Sequence, residues 1–490
     1  MNLDIKHLIL LVPELILVGT ALVLMLAASR IRTTLPVTVG TVLAAVAAGL
    51  SSYWLLPDEP KTGFGDMIVV DGYSQFFKVL IASALALVTL LSVKRNPPLP
   101  PLAKGGLGGD RPAEYHALLL LASTGMMFAA SAVDLLTLYL GLELTTLCSY
   151  ILVGITVEKS TSNEAAIKYF LLGSFASALF LYGIALVYGV TGATGYGAID
   201  SALSEHGLAS NKILLVAIGL LAAGLAFKIA AYPFHAWAPD AYQGASAPVA
   251  AFLAAASKAA GLAALGRVCL VAFGSEGVLS VVLVVLAALS IIVGSIVALA
   301  QTDMKRLLAY SSIAHVGYAL LGFVSATSQG ASASMAAAGA TATMTYSFLY
   351  VFMTLGAFGV VIALGQRGES LDGYRGLAAQ RPGTAALMLL FLLALTGIPP
   401  TSGFAAKFVV ILSVISTGHF VLAVLAVVCS VISAFVYLRV AVMMYMNEPQ
   451  EPEPSQYSWA VSAALVVATL VTVIGGIIPG SLTFWAEAPS

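Results

Sequence analysis

The chain has 490 residues, 60% of them hydrophobic and only 9% charged, with a mean hydropathy of +0.99, which excludes a soluble domain. The formal net charge of −1 carries no information about partners, and no nucleic-acid partner is expected. Only helices and closed barrels satisfy every backbone group in lipid. The apolar runs here are about 20 residues long, not ten-residue alternating strands, so the fold class is all-α and polytopic in the membrane.

In chain order, spans are expected near residues 8–28, 35–56, 73–93, 115–131, 133–155, 165–190, 213–234, 246–270, 278–300, 307–326, 335–365, 385–417, 419–446 and 458–478, fourteen in all. The first run carries Pro13 and Glu14 and lacks a basic leader with a small-residue cleavage site, so it reads as a span and not a removed signal peptide. Sorting the basic residues by connection tests the count. Arg30, Arg32, Lys94, Arg95, Lys104, Arg111, Lys159, Lys168, Lys305, Arg306, Arg367, Arg375 and Arg381 fall on odd-numbered connections, whereas Lys6, Lys61 and Lys212 lie on the amino terminus or even ones. The positive-inside rule then places the odd connections in the cytoplasm and both termini outside. The connection from Lys94 to Glu114, rich in Pro and Gly, is a candidate flexible segment. Cys148, Cys269 and Cys429 lie far apart inside apolar runs, so they form no metal or disulfide framework and read as packing residues. No glycine-rich nucleotide motif follows a strand pattern, so redox chemistry is expected on other chains.

Lys228 stands inside a long apolar run, and Glu143, Lys258 and Lys407 repeat the feature. A charge at bilayer depth costs about 2.5 to 3.5 kcal/mol on insertion scales, so repeating it points to ion movement. Two spans are interrupted by proline. The seventh carries Lys228 and then Tyr232-Pro233-Phe234, and the twelfth carries Ile398-Pro399-Pro400-Thr401-Ser402-Gly403 before Lys407. Proline removes a helical donor and clashes with the carbonyl four residues back, so both breaks should expose backbone polar groups to a wet cavity. Broken helices at matching places in two halves point to a transporter built from repeats. A faint echo supports this: Lys168 with Ser174-Phe-Ala-Ser177 resembles Arg306 with Ser312-Ile-Ala-His315. The organisation expected is a single membrane domain over 1–490: three peripheral helices in 1–112, a first inverted repeat in 113–270, a second in 278–446 and a C-terminal helix in 447–490.

Three segments carry a family resemblance. They are Lys228-Ile-Ala-Ala-Tyr-Pro-Phe-His235-Ala-Trp-Ala-Pro-Asp240-Ala-Tyr-Gln-Gly-Ala-Ser-Ala-Pro248, Thr302-Asp-Met-Lys-Arg-Leu-Leu-Ala-Tyr-Ser-Ser-Ile-Ala-His315, and Gly397-Ile-Pro-Pro-Thr-Ser-Gly-Phe-Ala-Ala-Lys407. The chain resembles the antiporter-like membrane subunits of respiratory complex I, the proton-translocating NADH:quinone oxidoreductase. A lysine at 407, where a sister subunit would carry glutamate, together with Tyr242-Gln-Gly, looks most like the N-type subunit. Subunits of multi-chain Na+/H+ antiporters share much of the pattern and form the alternative.

The resemblance implies a non-redox subunit of a translocase, about fourteen helices with two inverted five-helix repeats, and no cofactor in this chain. NADH, FMN, iron-sulfur clusters and quinone would be bound by partner subunits. It implies sister antiporter-like subunits and a lateral helix from another subunit as partners, membrane lipid around them, and a bacterial plasma (inner) membrane location. It also assigns roles: Glu143 pairs with Lys228, Lys258 connects, and Lys407 serves the far half-channel. A carboxylate beside an ammonium favours the charged lysine, so withdrawing the carboxylate favours release of the proton. His235 and His315 are candidate relays, since imidazole titrates near neutrality, and Lys168 is a candidate for proton entry.

Blander readings stand beside these. Glu143 is alternatively a structural carboxylate bonded to the hydroxyls of Thr145 or Thr146 or to a neighbouring helix, Lys228 and Lys407 satisfy carbonyls freed by the prolines, and Lys258 is a structural lysine in an Ala-rich helix. His235 stabilises the break, His315 belongs to a polar cluster with Ser311, Ser312 and Tyr318, and Lys168 anchors at the interface. Asp240 and Asp303 read as helix-end residues, Lys305 and Arg306 as topology determinants, and Lys78, Arg267 and Arg439 as interfacial.

Overall fold

The computed structural model describes residues 5–28, 33–93, 112–206, 211–273, 277–449 and 458–478. Arg30, Arg32, Lys94, Arg95, Lys104, Arg111 and the stretch from Gly480 to Ser490 lie outside the described residues. The chain begins with a short α1 (Ile5–Ile9), then α2 (Val12–Ala27) with Pro13 in its first turn, where a missing N–H is harmless, and α3 (Thr34–Trp54). A small antiparallel hairpin, β1 (Lys61–Gly63) and β2 (Ile68–Val70), was not legible in the sequence. It leads into α4 (Gly72–Leu91), started by a capping box in which Asp71 and Ser74 satisfy each other's amides.

After α5 (Pro112–Ser131) comes α6 (Leu135–Val153), whose first amides donate to Asp134, then α7 (Ser160–Thr191) and the short α8 (Tyr196–His206). The seventh span is divided into α9 (Lys212–Ile229) and α10 (Trp237–Gly244). Next are α11 (Ala247–Arg267), continued by a π turn to Ala272, then α12 (Gly277–Ala298), α13 (Met304–Ala326) and α14 (Ala333–Leu364). A 3-10 turn region and α15 (Leu377–Gln380) precede the second divided span, α16 (Pro382–Thr396) and α17 (Ser402–Ser416). The last helices are α18 (Phe420–Met446) and α19 (Trp459–Ile477).

The fold is all-α and multi-pass. Against fourteen expected spans, eleven helices among the described residues are long and apolar enough to cross a membrane by length and composition. The three other expected spans fall on the shorter α2, on α5, and on the divided pair α16 and α17. Helices α11 and α13 are buried over almost their whole length and form the centre of the bundle, with α14 packed against both. On α18, Val421, Val424, Val428, Val431 and Phe435 are exposed at helical spacing, the outward stripe that lipid would cover.

Two interfacial assignments are corrected. Arg267 is fully buried and makes two hydrogen bonds to the carboxylate of Asp71, at 3.0 and 2.8 Å, with the ring of Tyr73 at 4.9 Å. Lys78 is equally buried and pairs with Glu14 at 2.7 Å. A buried charge without a partner is too costly to persist, so each cation brought a carboxylate from a distant helix end that no local pattern reveals. Arg439 donates to the carbonyls of Leu299 and Gln301, closing the C-terminal end of α12. Asp303 is the N-cap of α13, a helix-end residue as expected.

Candidate functional site

Close approach of glycines sets the first half of the site. A Cβ at Gly125 would stand 2.5 Å from the carbonyl oxygen of Gly141, so α5 and α6 touch backbone to backbone there, and Thr145 bonds the carbonyls of Ala122 and Gly141. Glu143, the next residue but one after Gly141, is thereby held on α6 facing α7 and α9. Its Oε1 accepts a short hydrogen bond from Ser177 of α7 and one from Lys228 of α9 at 3.1 Å. The ammonium of Lys228 also donates to the hydroxyl of Thr146 at 2.6 Å. The expected pairing of Glu143 with Lys228 therefore exists, and Thr146, weighed as a partner for Glu143, instead serves the lysine.

The break after α9 turns at Ala230, which adopts φ +54°, a left-handed conformation uncommon for alanine. Freed backbone groups were expected to face a wet cavity, but side chains take them up. The indole N–H of Trp237 donates to the carbonyl of Phe227 at 2.9 Å, Lys258 donates to that of Ile229, and the amide of Tyr232 donates to Ser290 at 2.9 Å. Side chains from α10, α11 and α12 reach the break because α9 ends in the bundle interior. Lys258 is 1% exposed and also stands 5.3 Å from the ring of Trp237.

The second break has the same form. Gly397 ends α16 at φ +90°, and Lys407 donates to the carbonyl of Thr396 at 2.7 Å and to Ser430 at 2.9 Å, with its ammonium 4.6 Å from the ring of Tyr318. Of the two lysines expected to meet freed carbonyls, Lys407 does and Lys228 does not, while Lys258, read as a structural lysine in an Ala-rich helix, bonds one as well. His315 shares a 2.6 Å hydrogen bond with Tyr346, and its ring lies 6.2 Å from that of Tyr318, which joins it to the Lys407 cluster. Ser311, expected beside His315, bonds Tyr437 instead. His235 sits by the first break, its ring 5.2 Å from Tyr232 and 6.4 Å from Tyr310. It is not brought into direct contact with His315 in any ring pair or hydrogen bond of the described residues.

Lys168 lies at the rim, its side chain 48% exposed, and bonds Glu164 at 2.8 Å and Asp240 at 3.1 Å. Asp240, read as a helix-end residue, also accepts from Arg306 at 2.6 Å. The two leading residues of the sequence echo, Lys168 and Arg306, thus close on one carboxylate. Lys305 is not a free loop cation: it bonds Glu369 at 3.1 Å and the carbonyl of Ala245 at 3.0 Å. Sequence reading passed over Trp237, Ser430 and Tyr346. Trp237 had a signal, an aromatic residue just beyond the break, whereas the other two sit in spans whose facing is decided only by packing. The three cysteines are buried and free.

The family model for NADH:quinone oxidoreductase/Mrp antiporter transmembrane proteins matches residues 132–433, from the start of α6 into α18. The NADH-quinone oxidoreductase subunit N 2 of Rhizobium meliloti is 40% identical over 476 residues, covering 96% of this chain and 94% of that one. A chain of respiratory complex I from Thermus thermophilus superposes with a TM-score of 0.81 at 33% identity, over 98% of this chain and all (100%) of that one. A chain of the Mrp complex from Dietzia also gives a TM-score of 0.81, over 98% of this chain and 96% of that one, but at 21% identity it shows a common fold alone. With sequence identity sustained along the whole chain and the family match spanning both broken helices, the chain belongs to the NADH:quinone oxidoreductase/Mrp antiporter transmembrane family.

Proposed function

We propose that this chain is the N-type, proton-translocating membrane-arm subunit of NADH:quinone oxidoreductase, driven by quinone reduction elsewhere in the assembly. The observation that carries the reading is the Glu143–Lys228 pair, a carboxylate and an ammonium 3.1 Å apart inside a helical bundle, whose side chains are 20% and 9% exposed. At that separation and an effective dielectric of 20, their attraction is about 5 kcal/mol. An ion pair of this kind adds little stability over an apolar replacement, so its presence is better explained by a charge that must change. With Glu143 engaged, Lys228 keeps its proton. When the carboxylate turns toward Ser177 alone, Lys228 retains only the Thr146 hydroxyl, and its proton passes toward Lys258, at the Ile229 end of α9, once that lysine has handed on its own proton and stands as a neutral amine able to accept.

In this reading Lys258 and Lys407 are successive stations, His235 and His315 relay between them and water, and Lys168 stands at the cytoplasmic entry. The two five-helix units in 113–270 and 278–446 are inverted repeats, each containing one broken helix, with 1–112 peripheral to them and 447–490 closing the bundle. Both termini face outward from a bacterial inner membrane. The chain has no redox site of its own. Nicotinamide, flavin, iron-sulfur clusters and quinone belong to other chains of the complex, whose sister antiporter-like subunits and lateral helix pack against this one within lipid. The test is proton pumping by inverted membrane vesicles carrying Lys228→Ala, scored beside NADH-driven quinone reduction and assembly. Pumping and turnover falling together with assembly intact is the expected result; normal pumping would remove Lys228 from the pathway.

A further inference from the structure

Lys258 and Lys407 come from unlike places, one from the span after a break and the other from the second half of a broken span, yet they arrive in one environment. Each ammonium donates to the carbonyl of the residue just before the left-handed residue that ends a half-helix: Ile229 before Ala230, and Thr396 before Gly397. Each lies near the centre of an aromatic ring, Trp237 at 5.3 Å and Tyr318 at 4.6 Å. Neither has a carboxylate within ion-pair distance among the described residues, unlike Lys228 and Lys78.

Both rings are fixed in the same two ways. Trp237 donates its N–H to the carbonyl of Phe227 and stacks on Tyr169, with centroids 4.3 Å apart and planes 12° apart. Tyr318 donates its hydroxyl to the carbonyl of Ala426 at 2.9 Å and stacks on Tyr346, with planes 16° apart. Each ring is thus fastened to backbone and backed by a second ring before the lysine is considered.

A buried ammonium needs compensation, and a carboxylate would hold its proton too firmly for transfer. The C-terminal end of a helix carries partial negative charge, and the face of an aromatic ring attracts a cation, so together they stabilise the charge without an anion. We propose that Trp237 and Tyr318 are equivalent positioning residues of the proton path, aromatic platforms that hold the Lys258 and Lys407 ammonium groups at the C-terminal ends of the two broken helices. The inference rests on the proton-path reading above and adds residues that reading does not name.

The test compares Trp237→Phe with Trp237→Leu, and Tyr318→Phe with Tyr318→Leu, in the assembled complex in inverted vesicles. Assembly, NADH-driven quinone reduction and membrane-potential generation are measured for each. Phe and Leu both remove the donor and reduce volume at 237, and both remove the hydroxyl at 318, but only Phe keeps a π face. The Phe variants should keep most of the coupled activity, and the Leu variants should lose about tenfold at equal assembly, the expected effect of a desolvated cation–π contact. If Phe and Leu behave alike at both positions, the platform role is overturned and the rings are packing or hydrogen-bonding groups. Should a Leu variant fail to assemble, Met at the same position supplies a flexible non-aromatic side chain for the same comparison. Lys258→Met and Lys407→Met, run in parallel, separate the two claims. If both lysine variants pump normally, the proton-path reading itself fails; if they abolish pumping while Phe and Leu remain alike, only the platforms fall.

Discussion

Replacing Glu143 by glutamine removes one charge and little else. The amide retains an oxygen that can accept from Ser177 and Lys228, so the packing of α6 against α7 and α9 is preserved while the pair at 3.1 Å loses its coulombic attraction. That attraction is about 5 kcal/mol at an effective dielectric of 20, and leaving one member of a buried pair uncompensated typically costs 3 to 5 kcal/mol. At about 1.4 kcal/mol per factor of ten in rate, even half of the smaller figure is enough for a tenfold loss. The assay is NADH-driven acidification of inverted vesicles, normalised to assembled complex and paired with quinone reduction. Glu143→Gln should lower coupled pumping at least tenfold, and adding it to Lys228→Met should cause no further loss, because Glu143 acts through Lys228. Pumping near the parental rate in the single variant, or additive losses in the double, would refute the reasoning.

Three further outcomes follow from contacts away from that pair. Arg267→Met removes the cation from a fully buried bidentate pair and leaves the Asp71 carboxylate without that counter-charge, at a cost of about 3 to 5 kcal/mol, so the amount of assembled complex on native gels should drop sharply. Adding Asp71→Asn should recover much of it, and failure of any rescue would mean the pair is not what makes Arg267 important. Gly403→Ala places a Cβ inside contact distance of the Ala394 carbonyl, so the half-helices α16 and α17 must separate, with a loss of about 1 to 3 kcal/mol or more visible as lower thermal stability. An unchanged melting profile would disprove that close approach. Asp240→Asn releases Lys168 and Arg306, whose side chains are 48% and 30% exposed, so stability should change by no more than about 1 kcal/mol; gross loss of assembly would contradict the rim position of this clasp.

Much of the site was legible because its cost is legible. Glu143, Lys228, Lys258 and Lys407 stand out in apolar runs, and a buried charge is expensive in any helical membrane fold, so the four could be selected before any helix was placed. The two breaks were readable for the same kind of local reason, since Pro233 and the Pro399-Pro400 pair cannot continue a helix. The hairpin over Lys61–Gly63 and Ile68–Val70 was not, because three-residue strands carry no periodicity to detect.

The sequence by itself determined the class of the protein, the breaks, and four of the charges that need compensation, because hydropathy, proline chemistry and charge burial act residue by residue. Only the tertiary structure decided who compensates them. That Lys78 and Arg267 are interior ion pairs and not interfacial cations, that Lys258 meets the end of α9, that Trp237 and Tyr318 lie beside Lys258 and Lys407, and that Lys168 and Arg306 share Asp240 all depend on which helices touch. Helix contacts are set by small residues meeting across tens or hundreds of positions, as Gly125 and Gly141 do, and a single chain's local pattern does not encode which pairs will meet.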